Sequence, residues 1–420
     1  MSRVVLVYVL ALSSFVAVGG MAARRYGLLP VFRAGAVIFA VASGCCGLTP
    51  PGPAAEPSLL AARAFQGAGA ALMLPVATTA ITDVYTARER AKALTTYAGL
   101  AQIFFVLGPL AGTLLTQLID WRAVFLINIP TVGVILWAIA KSRLRDHAPG
   151  EPLQFLQPAF MVLALAVLLV SLHQIGAWGF DDVQTVPALS VGLLFLVVSV
   201  GVMIRASRPL LHLRILGNRT FAVSVAVTFL VQAAQLPLLV HGAVYIRQTL
   251  HLTPLGSGVS LLPFVGALAA GTFASGYLLD YFRSIRLTVL CGLVTATSGT
   301  AAWAAALARA DYTWQVPWMV LAGLGMGIPI PALSATMMGS VSDDDRADAS
   351  VLRQTLRQLG GAFGIASAGA LVLAANDRQS NAAGIIRSEA TVYAFVFAAI
   401  AVVVACALTV TRLPRESAQA

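Results

Sequence analysis

The chain has 420 residues, 59% of them hydrophobic and only 10% charged, with a formal net charge of +10. Soluble domains carry about 25% charged residues, so composition excludes a soluble globular protein of this length. The basic excess is scattered over short loops, which suits membrane-surface anchors and argues against nucleic acid.

Apolar runs of about 20 residues, the length that crosses the hydrocarbon layer as a helix, recur from end to end. Thirteen spans are predicted, at 3–23, 29–50, 58–82, 94–119, 122–141, 158–177, 187–205, 219–243, 256–279, 286–308, 314–338, 350–374 and 390–411. The short alternating segments of a membrane β-barrel are absent, so the fold class is an all-α polytopic membrane protein. The loop clusters RRYG, RERAK, KSRLR and RSIR follow the first, third, fifth and ninth spans. The positive-inside rule makes that side cytoplasmic, which puts the C-terminus inside and, with an odd count, the N-terminus outside. Cys45, Cys46, Cys291 and Cys406 all lie in apolar segments without metal-ligand spacing and are read as packing residues. No phosphate-cradling loop, metal cluster or nucleophile–base arrangement is present, so no enzyme, metal or cofactor is expected.

Along these spans runs an internal repeat with a constant offset of 256 residues. Gly20 matches Gly276, Gly67 matches Gly323, Gly69 matches Gly325 and Pro75 matches Pro331. Arg90, Ala91 and Ala93 match Arg346, Ala347 and Ala349, and Gly108 matches Gly364. Matches in one register and one order imply two parallel duplicates related by an axis along the membrane normal. The expected division is a first lobe at 1–141, a central helix-pair insert with its linkers at 142–218, and a second lobe at 219–420. Counted this way, the lobes hold five and six spans.

The segment RAFQGAGAALMLP (63–75), followed by RERAKALTTYAG, LGPLAG and DWRAVFLINIP, resembles the major facilitator superfamily, and within it the 14-spanning drug:proton antiporter branch. PLLHLRILGNRTF and LRQLGGAFGIA extend the resemblance over essentially the whole chain. It implies two pseudo-symmetric helical lobes and export of small hydrophobic or amphipathic compounds from the cell membrane, with proton antiport and alternating access. The implied partners are the lipid bilayer, such a substrate and protons, the proton gradient being the energy source. A monomer is expected. The resemblance also makes VYVLALSSFVAVGG the family's second helix, so that the first would precede Met1. Either the start is placed too late, the favoured alternative, or the protein does not couple to protons in the family's usual way.

Arg63, with Gln66 one helical turn on, is the expected coupling group, a cation lining the cavity that alters a carboxylate's protonation as it approaches or withdraws. The plainer alternative is a stem snorkelling to the headgroups. All 17 Asp and Glu residues fall in loops or at helix ends. Tyr97, Gln102, Asn128, Gln232 and Gln235 are candidate cavity residues, each with helix–helix hydrogen bonding as its alternative. Phe104, Phe105, Met326, Met337 and Met338 would give an adaptable lining if they faced the cavity, with core packing the alternative. Gly99, Gly108, Pro109 and Gly112 form a close-packing and bending motif, which the resemblance makes an antiporter signature. GLGMGIPIP (323–331) is its expected counterpart bend. The resemblance further implies a cytoplasmic gate at Gly20, Arg25, Gly27, Arg90, Gly276, Asp280 and Arg346, altered by Arg24 and Arg283 at positions where the family has other residues. An uncoupled facilitator or metabolite exporter of the same fold, and a non-transporting membrane protein, remain as alternative functions.

Overall fold

In a bilayer every backbone polar group must be satisfied within the chain, which leaves an apolar span little choice but a continuous helix. The computed structural model describes residues 3–85, 87–141, 162–164, 167, 171, 185–205, 213–249, 254–342, 345–377 and 388–413. Twelve of the thirteen expected spans are helical, and 158–177 lies almost wholly outside the described residues. The first five spans form α1 (Arg3–Tyr26), α2 (Leu28–Gly47), α3 (Ala55–Val84), α4 (Ala87–Leu118) and the pair α5 (Ala123–Leu126) and α6 (Asn128–Lys141). Then follow α7 (Thr185–Arg205), α8 (Arg219–Thr249), the short α9 (Pro254–Val259), α10 (Leu262–Phe282) and α11 (Ile285–Ala306). The last are α12 (Tyr312–Gly327), α13 (Pro329–Gly339), α14 (Arg346–Asp377) and α15 (Ser388–Arg412). Among the described residues, eight segments are both long and apolar enough to cross a membrane.

The repeat is visible in the helix bounds. Moving α1, α2, α3 and α4 forward by 256 residues gives 259–282, 284–303, 311–340 and 343–374, which fall on α10, α11, the α12–α13 pair and α14. Packing explains why glycines carry the signal. A Cβ at Gly67 would strike the backbone oxygen of Tyr8 on α1, and one at Gly323 the backbone oxygen of Phe264 on α10. Tyr8 and Phe264 are separated by the same 256 residues, so the duplicated glycine serves the same helix–helix contact twice.

Two groups of helices result. α3 packs on α1 and α2, and α2 also on α6. In the second group α8 packs on α14 and α15, α12 on α10 and α11, and α11 on α15. The second group holds the larger core, built around Trp303, Phe264 and Phe395, all fully buried. The Trp303 and Phe395 rings meet edge-on at 4.8 Å, and Trp303 Nε1 donates to Gln315 Oε1 at 3.3 Å. Between groups, α1 lies on α14 and α4 on α9 and α10. These pairs are the pseudo-symmetric equivalents of each other: α1 maps to α10 and α4 to α14.

Local signals set several helix ends. Asn218 caps α8, its Oδ1 accepting from Thr220 N at 3.0 Å while its Nδ2 donates to Ser340 O at 2.7 Å. Gly27, alone between α1 and α2, has φ 90°, a left-handed conformation that costs glycine little. The expected bend in 323–331 is present: α12 ends at Gly327 and α13 starts at Pro329, whose ring removes a backbone donor. Its counterpart Pro75 lies inside an α3 that runs on as a single helix.

The motif at LGPLAG differs from expectation. Gly99 is buried and a Cβ there would overlap the Phe273 ring of α10, so close packing holds at that position. At Gly108 an added Cβ meets nothing within 4 Å, and at Gly112 only Val124 at 3.9 Å. α4 runs unbroken past Pro109. Nine residues make two and a half helical turns, so Gly99 and Gly108 lie on opposite faces of α4, and the close packing among the described residues is on the Gly99 face. Phe104 is exposed. Met326 and Met337 are fully buried in the second core, with Met338 packed against it, so these methionines are packing residues.

Candidate functional site

Of the seven residues proposed from sequence as coupling or cavity groups, three come together around one hydroxyl. Arg63 is half-buried on α3. Its Nη1 donates to Gln66 Oε1 at 2.6 Å and its Nε to Val4 O on α1 at 3.1 Å. Spacing of three along a helix brings Arg63 and Gln66 to one face. Gln66, 1% exposed, donates through Nε2 to Ser43 Oγ on α2 at 2.8 Å. Asn128 Nδ2, at the start of α6, donates to the same oxygen at 2.9 Å, and Ser43 Oγ donates to Phe125 O at 2.9 Å. The guanidinium lies 4.4 Å from the Tyr8 ring centroid and 5.5 Å from that of Phe125, within cation–π range. Arg63 thus has four described contacts within the first helix group, from α1, α3 and α5.

A second polar cluster lies in the other helix group. Gly360 and Gly364 let α14 approach the backbone of α8 at Phe229 and Ala233, and Gly361 sits against Leu236 and Gln232. That contact brings Arg357 Nε to Gln232 Oε1, at 3.1 Å, with Gln232 6% exposed. Arg353, four residues earlier, shares the helix face of Arg357. Tyr97 is half-buried on α4, in the first helix group. Gln235 is buried with its Oε1 lacking a hydrogen-bond partner, and His241, one and a half turns on in α8, has a buried Nε2 in the same condition. The side chain of Gln102 lies outside those described.

The gate residues are only partly assembled. A Cβ at Gly20 would run into the Val351 side chain of α14, which makes Gly20 a point of close approach between the two groups. Gly27 is the turn already described. Gly276 stands open and Asp280 is exposed, with no ion pair to Asp280 or Arg25 among the described residues. Arg346 is half-buried at the start of α14, and the Arg90 side chain lies outside those described.

Sequence reading missed Ser43, Arg353, Arg357 and His241. A lone serine in an apolar run carries no signal by itself. The arginines do carry one: LRQTLRQLGG places two cations four apart within a predicted span, and an intramembrane charge is a functional candidate wherever it occurs. A separate apolar groove on the second group, lined by Val294, Thr297, Val403, Cys406 and Val410 among others, contains none of these polar residues.

Comparison with known proteins matches residues 1–365 to the sequence profile of the Major Facilitator Superfamily. The chain is 25% identical over 377 residues to the multidrug transporter protein MdtP of Bacillus subtilis, covering 89% of this chain and 68% of that protein. It is 28% identical over 370 residues to the tetracenomycin C resistance and export protein of Streptomyces glaucescens, covering 87% and 67%. Among solved structures it is similar to the proton:xylose symporter XylE bound to 6-bromo-6-deoxy-D-glucose. The TM-score is 0.66 at 12% identity, over 98% of this chain and 85% of that one, a likeness of fold alone.

Proposed function

The chain belongs to the major facilitator superfamily, and from that premise we propose that it exports small hydrophobic or amphipathic compounds across the plasma membrane by alternating access, driven by proton antiport. As a family member it is a multi-pass membrane transporter of small molecules and not an enzyme. The export direction and compound class are supported by relatives named for multidrug transport and for antibiotic resistance and export. The observation that carries the mechanism is the half-buried Arg63, fixed by Gln66, Val4 O and two rings of the first helix group. An arginine at a helix centre costs about 2.5–3.5 kcal/mol on insertion scales, so a network that holds one there in a set orientation supports a working role. The C-terminus is cytoplasmic in this reading, as the basic loops require.

A second reading, export without proton coupling, is favoured by one observation. Every carboxylate in the described helices, namely Glu56, Asp83, Glu89, Asp280, Asp348, Asp377 and Glu389, sits within three residues of a helix end. The two readings separate in proteoliposomes loaded with a panel of cationic, neutral and anionic amphipathic dyes. Proton antiport predicts dye movement that accelerates with an imposed pH gradient and reverses with its sign. Movement indifferent to the gradient leaves uncoupled export, and no movement of any dye defeats both.

A further inference from the structure

Three arginines lie well inside the described helices and away from their ends in the helix groups: Arg63 in α3, and Arg353 and Arg357 in α14. None of the three has a carboxylate partner among the described residues, because all carboxylates of those helices are at the ends. Arg63 is nonetheless supplied with acceptors, a glutamine oxygen and a backbone oxygen. The α14 pair is not. Arg357 uses Nε on Gln232, leaving its Nη groups without a described acceptor, and Arg353 makes no hydrogen bond to a described residue.

Snorkelling does not account for this pair. Arg357 is tied to a glutamine that is 6% exposed on α8. Both arginines are half-buried, not exposed. Two like charges four residues apart repel each other, and burial without an opposite charge compounds the cost. A site of this kind is complete only when something else brings the negative charge. Guanidinium forks match carboxylate and phosphate-like oxygens geometrically, while the Gln232 amide nitrogen can supply a further hydrogen bond.

We infer that the transported compound is an amphipathic anion, whose carboxylate or comparable oxyanion is received by Arg353 and Arg357 beside Gln232. This rests on the export reading above and narrows its substrate class. A hydrophobic cation is disfavoured at the same place, since it would meet two guanidiniums and no acidic side chain of the described helices.

The test uses three probes that share one fluorophore and differ in charge: dansylglycine, its neutral amide and dansylcadaverine. Binding to the purified full chain in lipid nanodiscs is read from dansyl fluorescence. Dansylglycine should bind at least about tenfold more tightly than either of the others, the range of one charge-assisted hydrogen bond. Arg353→Gln and Arg357→Gln should each erase most of that preference, with Arg357→Lys retaining part of it. Wild-type binding that is equal for the three probes, stronger for dansylcadaverine, or absent for all overturns the inference, and so does a preference that survives both glutamine variants. The wild-type comparison decides even if a variant fails to fold. Movement of the same probes in proteoliposomes separates the two readings. Cation export with no anion preference sinks the inference and leaves export standing, whereas selective anion binding without movement of any probe defeats export, and with it the claim of a transported anion, while leaving the arginine pair as an anion-binding site.

Discussion

Ser43→Ala is the most informative single change, because one small hydroxyl joins three helices. Its Oγ accepts from Gln66 Nε2 at 2.8 Å and from Asn128 Nδ2 at 2.9 Å, and donates to Phe125 O at 2.9 Å. Interhelical hydrogen bonds in membranes average about 0.6 kcal/mol each. Asn128 has a weaker alternative in Val124 O at 3.5 Å, but Gln66, 1% exposed, donates to no other described residue. A buried donor left unsatisfied adds about 1 kcal/mol or more, so the loss should be about 2–3 kcal/mol, with almost no cavity because only one oxygen is removed. The assay is unfolding in mixed micelles, run as a double-mutant cycle with Gln66→Leu. If the network acts as a unit, Gln66→Leu should cost about 1 kcal/mol less in the Ser43→Ala background than in the wild type. Additivity within about 0.5 kcal/mol, the behaviour of independent sites, refutes the reasoning.

Arg63→Lys keeps the charge but loses the fork that serves Val4 O and Gln66 together; export rate in proteoliposomes should fall about tenfold or more, and a rate near wild type would show that charge alone suffices. Gly325→Ala should destabilise by about 3 kcal/mol or more, because its Cβ would run into the Ala296 backbone on α11, whereas Gly108→Ala, with nothing within 4 Å, should stay within about 0.5 kcal/mol; monodispersity and melting temperature in detergent compare the two. Asn218→Ala removes the α8 cap and the tie to Ser340 O, and should cost about 1–2 kcal/mol, read from the same unfolding curves.

Span positions, the doubling and the family were legible in the sequence for one reason each. Lipid forbids unpaired backbone, so an apolar run of sufficient length declares a helix. The 256-residue register was readable because Gly67 and Gly323 each lie against a neighbouring backbone, where no larger residue fits. Arg63 declared itself by its cost in an apolar run. By contrast, the openness around Gly108 was not readable, since periodicity gives the face of a helix and not what stands opposite.

The sequence alone therefore determined the solvent of this protein, its helices, its internal duplication and the presence of a cation within an apolar run, all of which follow from local composition and spacing. The tertiary structure alone decided the partners. It made Ser43 a junction of packed helices, tied Arg63 on α3 to Val4 O on α1, and set Arg357 against Gln232. Hydrogen bonds of this kind join residues 23 to 125 positions apart, and a separation of that size is closed only when whole helices pack, which no local pattern encodes.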